Sequence, residues 1–162
     1  MNESTTSGIS EVDPVVDAVL SASRALVSVA ARSLAGAADE VTLPQYRALV
    51  VLASRGRQRV AALAEALGVT PATATRMCDR LVRKRLVSRA AVPSDRRQVH
   101  VVLTSHGRQL VDEVTARRRS EITAIVRDIS PAQRDVLVNA LQHFALAAGE
   151  ALEGDWSSEW AL

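Results

Sequence analysis

The chain has 162 residues, a 48% hydrophobic fraction and a formal net charge of +2, so one domain with a core of its own is the expectation. Aromatic residues make up only 2%, so that core must come from Ala, Val and Leu, a composition that favours helices. The single cysteine, Cys78, excludes an intramolecular disulfide.

No uninterrupted apolar run of membrane-spanning length is visible, and the polar, acidic opening MNESTTSGISEVD is unlike a secretory signal. A cytoplasmic location and no membrane partner are therefore expected. In chain order, residues 1–12 read as a flexible tail. Asp13-Pro14 predicts a helix start, with proline at the first position, where its missing N–H has no partner to lose. That helix should run to about Ala38. Its broad apolar surface (Val15, Val16, Val19, Leu20, Leu26, Val27, Ala30, Leu34) packs either on the chain's own core or partly on a second chain.

Thr42 or Leu43 opens the next helix, which runs to about Ser54 and is held to the core by Tyr46, Leu49, Val50 and Leu52. A basic turn follows, in which Arg55, Arg57 and Arg59 are either solvated or placed to meet phosphates. Val60, Leu63, Ala64 and Leu67 lie at helical spacing, and Gly68 supplies the left-handed residue that ends this helix. Thr70 then caps a helix with Pro71 at its first position, continuing to about Arg85. Its inner face is Ala74, Met77 or Cys78, Leu81 and Val82, and its outer face is Thr73, Thr75, Arg76 and Arg80. A helix-turn-helix places the first turns of such a helix in the DNA major groove. There Arg forks onto guanine, and Thr meets a thymine methyl or a phosphate. The bland alternative is a solvated face.

Leu86–Arg89 and Gln98–Leu103 read as two strands joined by Ala90–Arg97, a wing with a basic tip able to reach the minor groove. Thr104 caps a long helix to about Asp128 with the stripe Leu110, Val111, Val114, Ile122, Ile125 and Val126. It is interrupted by Arg117-Arg118-Arg119, a solvated face or a second phosphate patch. Ser130-Pro131-Ala132-Gln133 is a capping box that opens a last helix to about Leu152. Residues 153–162 read as a flexible tail. It holds both tryptophans, Trp156 and Trp160, which rest on a nearby apolar patch or serve as a lid or partner motif.

Charge is segregated. Residues 55–97 carry eleven basic and three acidic residues, while residues 1–40 and 128–162 are both net acidic. Phosphate neutralisation needs such a local field whatever the total, so double-stranded DNA is the expected partner.

The order helix-turn-helix, hairpin with Asp95-Arg96-Arg97, then Val99-His100-Val101-Val102-Leu103-Thr104 leading into a long helix resembles the MarR family of bacterial transcription regulators. Leu43-Pro44-Gln45-Tyr46-Arg47-Ala48-Leu49 resembles that family's second helix, and the likeness covers about residues 13–150. One departure is Arg85, where many relatives have glycine at the helix end. The resemblance implies a mainly α fold with a small β-hairpin wing: a winged helix-turn-helix (41–103) flanked by dimerisation helices (13–40 and 104–152) in one domain, 13–152. It implies a homodimer whose first and last two helices interlock, and a small aromatic or anionic effector bound between those helices and the reading head. It makes Arg97 the wing arginine in the minor groove, with Arg96 beside it and Asp95 orienting the basic groups. Thr70, Thr73, Thr75, Arg76, Arg80, Arg96 and Arg97 are the expected DNA-binding set. Thr73, Thr75 and Arg76 are assigned to bases and Arg80 to phosphate, on a palindromic operator with half-sites roughly 34 Å apart.

No catalytic set is visible. His100, His106 and His143 lack partners at zinc-ligand spacing, and there is no Gly-rich phosphate loop. An enzyme is not expected, nor a cofactor. Two other readings stay open. One is a thiol-redox switch through Cys78, whose neighbours Arg76 and Arg80 would favour thiolate while burial would oppose it. The other is a helical scaffold whose basic stretch binds an acidic protein.

Overall fold

The computed structural model describes residues 6–37, 39–92 and 95–150; the side chains of 6–12, 92 and 95–98 lie outside that description. Six helices and three strands follow in the order α1 (Thr6–Ala35), α2 (Leu43–Arg55), β1 (Gln58–Arg59), α3 (Val60–Leu67), α4 (Pro71–Arg83), β2 (Val87–Val92), β3 (Asp95–Leu103), α5 (Ser105–Arg127) and α6 (Pro131–Ala147). The mainly helical, winged arrangement is the one expected.

Local chemistry sets most boundaries. Gln45 Oε1 accepts from the Thr42 backbone N–H at 3.1 Å and Gln133 Oε1 from that of Ser130 at 3.2 Å, so α2 and α6 open on the reciprocal caps that their sequences encode. Thr70 accepts from the Thr73 N–H at 3.2 Å, and Thr104 from the Gly107 N–H at 3.0 Å. Gly68 closes α3 at φ 63°.

Four boundaries differ from expectation. α1 begins at Thr6 and carries Pro14 inside it, rather than starting at Asp13; the lost N–H removes one intrahelical bond, and the turns on either side continue past it. The sequence places Gln58 and Arg59 in a basic turn; they form β1, which pairs antiparallel with β3, Gln58 opposite Val101 and Arg59 opposite His100. The wing strands reach further toward the tip than Arg89 and Gln98, with an irregularity between Ala91 and Val92. α6 stops at Ala147, because Gly149 turns left-handed at φ 74°, and not near Leu152. The tail with Trp156 and Trp160 lies outside the described residues.

The sheet order is β1-β3-β2. The core lies where α2, α3, α4 and the sheet meet the first half of α5: Leu49, Leu52, Leu63, Leu81, Leu86, Val101, Val111 and Val114 are all buried. Gly107 allows the close approach of α5, since a Cβ there would stand 2.1 Å from the Leu86 carbonyl oxygen. α1 joins this body through Val29, Ser33 and Leu34 near its end, packed on α5, with Arg32 donating to Glu121 at 2.7 Å.

The rest of the apolar surface of α1 is open. Val15, Val16, Leu20, Leu26 and Val27 are exposed, and α6 has no buried residue at all, with Phe144 53% and Val136 70% exposed. The stretch Asp13–Ala35 also has the length and mean hydropathy (1.4) of a membrane-crossing helix, although Asp13, Asp17, Arg24 and Arg32 punctuate it.

Candidate nucleic-acid interface

The surface is built on α4. Ala74, Cys78 and Leu81 are fully buried, with Met77 and Val82 partly so, which fixes the helix by one face and turns the other outward. Thr75, Arg76 and Arg80 are exposed on that outer face and Thr73 is half-buried. Arg83 continues the row of Arg76 and Arg80 at helical spacing and is exposed too; the sequence reading had not singled it out.

The threonines are not equivalent. Thr70 holds the helix start, and its hydroxyl lies 3.0 Å from that of Thr73. Thr75 donates its hydroxyl to the Pro71 carbonyl at 2.8 Å, which leaves its methyl and oxygen lone pairs facing out. Arg76 and Arg80 stand beside the first turn of α2, where Thr42, Pro44 and Gln45 complete a groove with Thr73 and Met77. Two features that suit phosphate, guanidinium groups and the positive end of a helix, therefore share one concavity.

The wing is joined to this helix by an ion pair invisible to sequence periodicity. Arg89 on β2 donates to Asp79 on α4 at 2.5 Å. The backbones of Asp95, Arg96 and Arg97 form the first residues of β3, so the structure brings the wing arginines to the tip end of the hairpin; their side chains, and the orienting role assigned to Asp95, lie outside the described residues. Of the basic turn, Arg57 and Arg59 are exposed, whereas Arg55 donates to the Gly149 carbonyl at 2.8 Å and so is occupied by the end of α6. Arg118 of the arginine run is not simply solvated: its guanidinium carbon lies 5.5 Å from the centre of the Tyr46 ring.

Cys78 is buried on the inner side of α4, and burial raises its thiol pKa above the ordinary value. Arg89 opposes that rise and Asp79 adds to it; the arginine that acts on the thiol is thus the wing's, not Arg76 or Arg80. A neutral, enclosed thiol is a poor redox sensor.

Comparison with known proteins agrees with this fold. The profile of the MarR family matches residues 41–99, the segment from the start of α2 into β3. The crystal structure of RV1404 from Mycobacterium tuberculosis superposes with a TM-score of 0.80 and 44% identity, over 88% of this chain and 97% of that one. An uncharacterised HTH-type transcriptional regulator of Mycobacterium bovis, Mb0904, is 33% identical over 62% of this chain and 70% of its own. The HTH-type transcriptional repressor MdtR of Bacillus subtilis is 36% identical over 49% of this chain, which spans about half (52%) of that relative's length.

Proposed function

The chain belongs to the MarR family of winged helix-turn-helix transcription regulators, and on that premise we propose that it is a sequence-specific, effector-responsive repressor that binds a palindromic operator as a homodimer in the cytoplasm. The observation that carries this reading is the two-sided α4. One face is locked into the core by Ala74, Cys78 and Leu81; the other presents Thr75, Arg76 and Arg80 beside a wing whose first strand residues include Arg96 and Arg97. Thr73, Thr75 and Arg76 read bases, Arg80 contacts phosphate, Thr70 sets the helix start, and Arg97 with Arg96 enters the minor groove with Asp95 orienting them.

The open faces of α1 and α6 supply the dimer. Exposed apolar surface of this extent on a small domain marks an interface, and a two-fold axis would make it self-complementary. The same reading accounts for the hydropathy of Asp13–Ala35 without a membrane. Among proteins that share this fold at 20–24% identity, NadR is described in complex with 4-hydroxyphenylacetate and a MepR mutant bound to an oligodeoxyribonucleotide. They support, by likeness of fold alone, both a small anionic effector and duplex DNA as partners.

Fluorescence anisotropy with the DNA upstream of the protein's own gene, against scrambled DNA at several salt concentrations, tests the proposal. Preference for the upstream fragment with a steep salt slope is expected. Equal affinity for both fragments, unchanged after removal of any bound small molecule and across a library of genomic fragments, would sink sequence-specific regulation.

A further inference from the structure

Two arginines of α2 hold the far end of α6. Arg55 donates to the Gly149 carbonyl at 2.8 Å, and Arg47 pairs with Glu150. α6 itself buries no side chain, so its end is fixed to the reading head by polar contacts. Residues 151–162 therefore begin beside the end of α2, at a known place on the surface of the head.

Next to that place is a cavity of about 220 Å³, between the end of α2, the root of the wing and the start of α5. Gly56, which lines it, directly follows Arg55 in the chain. Leu52, Ala53, Val102 and Leu103 give the cavity an apolar wall, and Arg57 and Arg108 border it. Thr104 and Ser105 bring in the positive end of α5. No carboxylate among the described residues lines it. Arg57 is exposed and takes part in none of the ion pairs found among the described residues, and Arg108 meets Asp112 only at 3.9 Å. Drug-sized ligand pockets run to roughly 300–1,000 Å³, so this smaller space suits a single bicyclic side chain.

Residues 151–162 carry what such a cavity would recognise. They hold both tryptophans of the chain, Trp156 and Trp160, with Glu153, Asp155 and Glu159 between and beside them and no basic residue. Trp156 lies six residues after Glu150, a reach of up to about 20 Å in extended chain. The apolar body of an indole matches Leu52, Val102 and Leu103, and its N–H can meet a polar group at the rim. The neighbouring carboxylates match Arg57 and Arg108.

We propose that residues 151–162 dock on their own chain, with the Trp156 indole seated in this cavity and Asp155 with Glu153 facing Arg57 and Arg108. The indole contributes most of the hold, because exposed ion pairs are individually weak and mainly set the direction of approach. The dock makes a strap that runs from the end of α6 across the end of α2 to the root of β3. It gives α6, which buries no side chain in the single chain, an anchor on the head that does not depend on a second subunit. The strap stands independently of the DNA-binding reading.

Tryptophan fluorescence tests this directly, since every tryptophan of the chain lies in the segment concerned. In full-length Trp160→Phe, Trp156 is expected to emit well to the blue of the same variant in concentrated guanidinium chloride. Acrylamide should quench it at least three-fold less than it quenches N-acetyltryptophanamide. Emission and quenching like those of the free amide would overturn the proposal. Arg57→Glu/Arg108→Glu in that background, and separately Ser105→Phe, which fills the mouth of the cavity, should each shift the emission to the red and raise quenching at least two-fold. Each is read only with an unchanged far-UV spectrum. A shielded Trp156 that neither change releases would place the indole elsewhere and overturn the assignment. A short bismaleimide added to dilute Ser105→Cys/Ser157→Cys should bridge the two thiols within one chain, identified by peptide mass. The buried Cys78 is a poor competitor for the reagent. Bridges found only between two chains would assign the cavity to the segment of a second copy, and no bridge at all would overturn the dock.

Discussion

Arg85 is the one non-glycine residue with positive φ among the described residues, at 59°, where the chain leaves α4 for β2. An L side chain there costs about 1–2 kcal/mol, partly offset in an Arg85→Gly variant by the extra freedom glycine has when unfolded. Arg85 is exposed, so no packing is lost. Arg85→Gly should therefore raise stability by about 0.5 kcal/mol, read as a higher urea midpoint; a lower midpoint would contradict the strain argument. Cys78 gives a second test at this scale. Its raised pKa means that the folded state holds the thiol proton more tightly than the unfolded chain, so its stabilising contribution is complete below the ordinary cysteine pKa of about 8.5 and fades as pH rises through the folded value. Iodoacetamide at pH 8 should label native protein only as fast as it opens, and Cys78→Ala should flatten the alkaline decline in stability. Rapid native labelling would reopen the redox reading. For Arg76→Ala, operator affinity should fall by about 1–3 kcal/mol with relaxed preference at one position per half-site. A uniform loss across all sequences would make Arg76 a phosphate contact instead.

Among the elements, α5 is the most exacting in its placement. Thr104 donates its hydroxyl to the Arg85 carbonyl at 2.7 Å, its backbone N–H bonds the Leu86 carbonyl at 3.1 Å, and Gly107 lies against that same carbonyl. Gly107→Ala would force backbone apart, and its expected cost is about 1–3 kcal/mol despite alanine's better helix propensity; a stabilised variant would show that the helix start can shift freely. The capped helix starts from α2 onward could be read directly, because Thr42, Thr70, Thr104 and Ser130 stand before helical patterns and Pro44, Pro71 and Pro131 occupy first-turn positions. The inner and outer faces of α4 followed from period 3.6. β1 could not be read, since two residues have no periodicity and their pairing with β3 is a tertiary fact. Asp13-Pro14 carried a start signal that α1 overrides, and Leu152 extended an apolar pattern that Gly149 cuts short. In the site, the row Thr75, Arg76 and Arg80 was legible. The Asp79–Arg89 tie and the Arg118 seat on Tyr46 were not, because each joins elements far apart in sequence.

At the scale of the whole molecule, the compact part and the open part divide cleanly. The winged reading head packs around Leu49, Leu63 and Leu81, while α1 and α6 leave Leu20, Val27, Leu141 and Phe144 in solvent. Under the dimer reading, Leu141→Asp with Phe144→Asp should convert a dimer to a monomer by sedimentation and lower operator affinity while leaving the helical head folded. A variant with unchanged mass would place the interface elsewhere. α6 is a 17-residue helix with no buried side chain in the single chain, and helices of that length are marginal in water without tertiary support. Its order then becomes a matter of mass action: dilution should melt α6 before the head, and the melting temperature should climb with protein concentration. If the chain binds its operator as the proposed dimer, the population of operator-competent species in a cell grows with the square of chain number while dimers are scarce, so a small change in expression or turnover would act as a threshold on gene control.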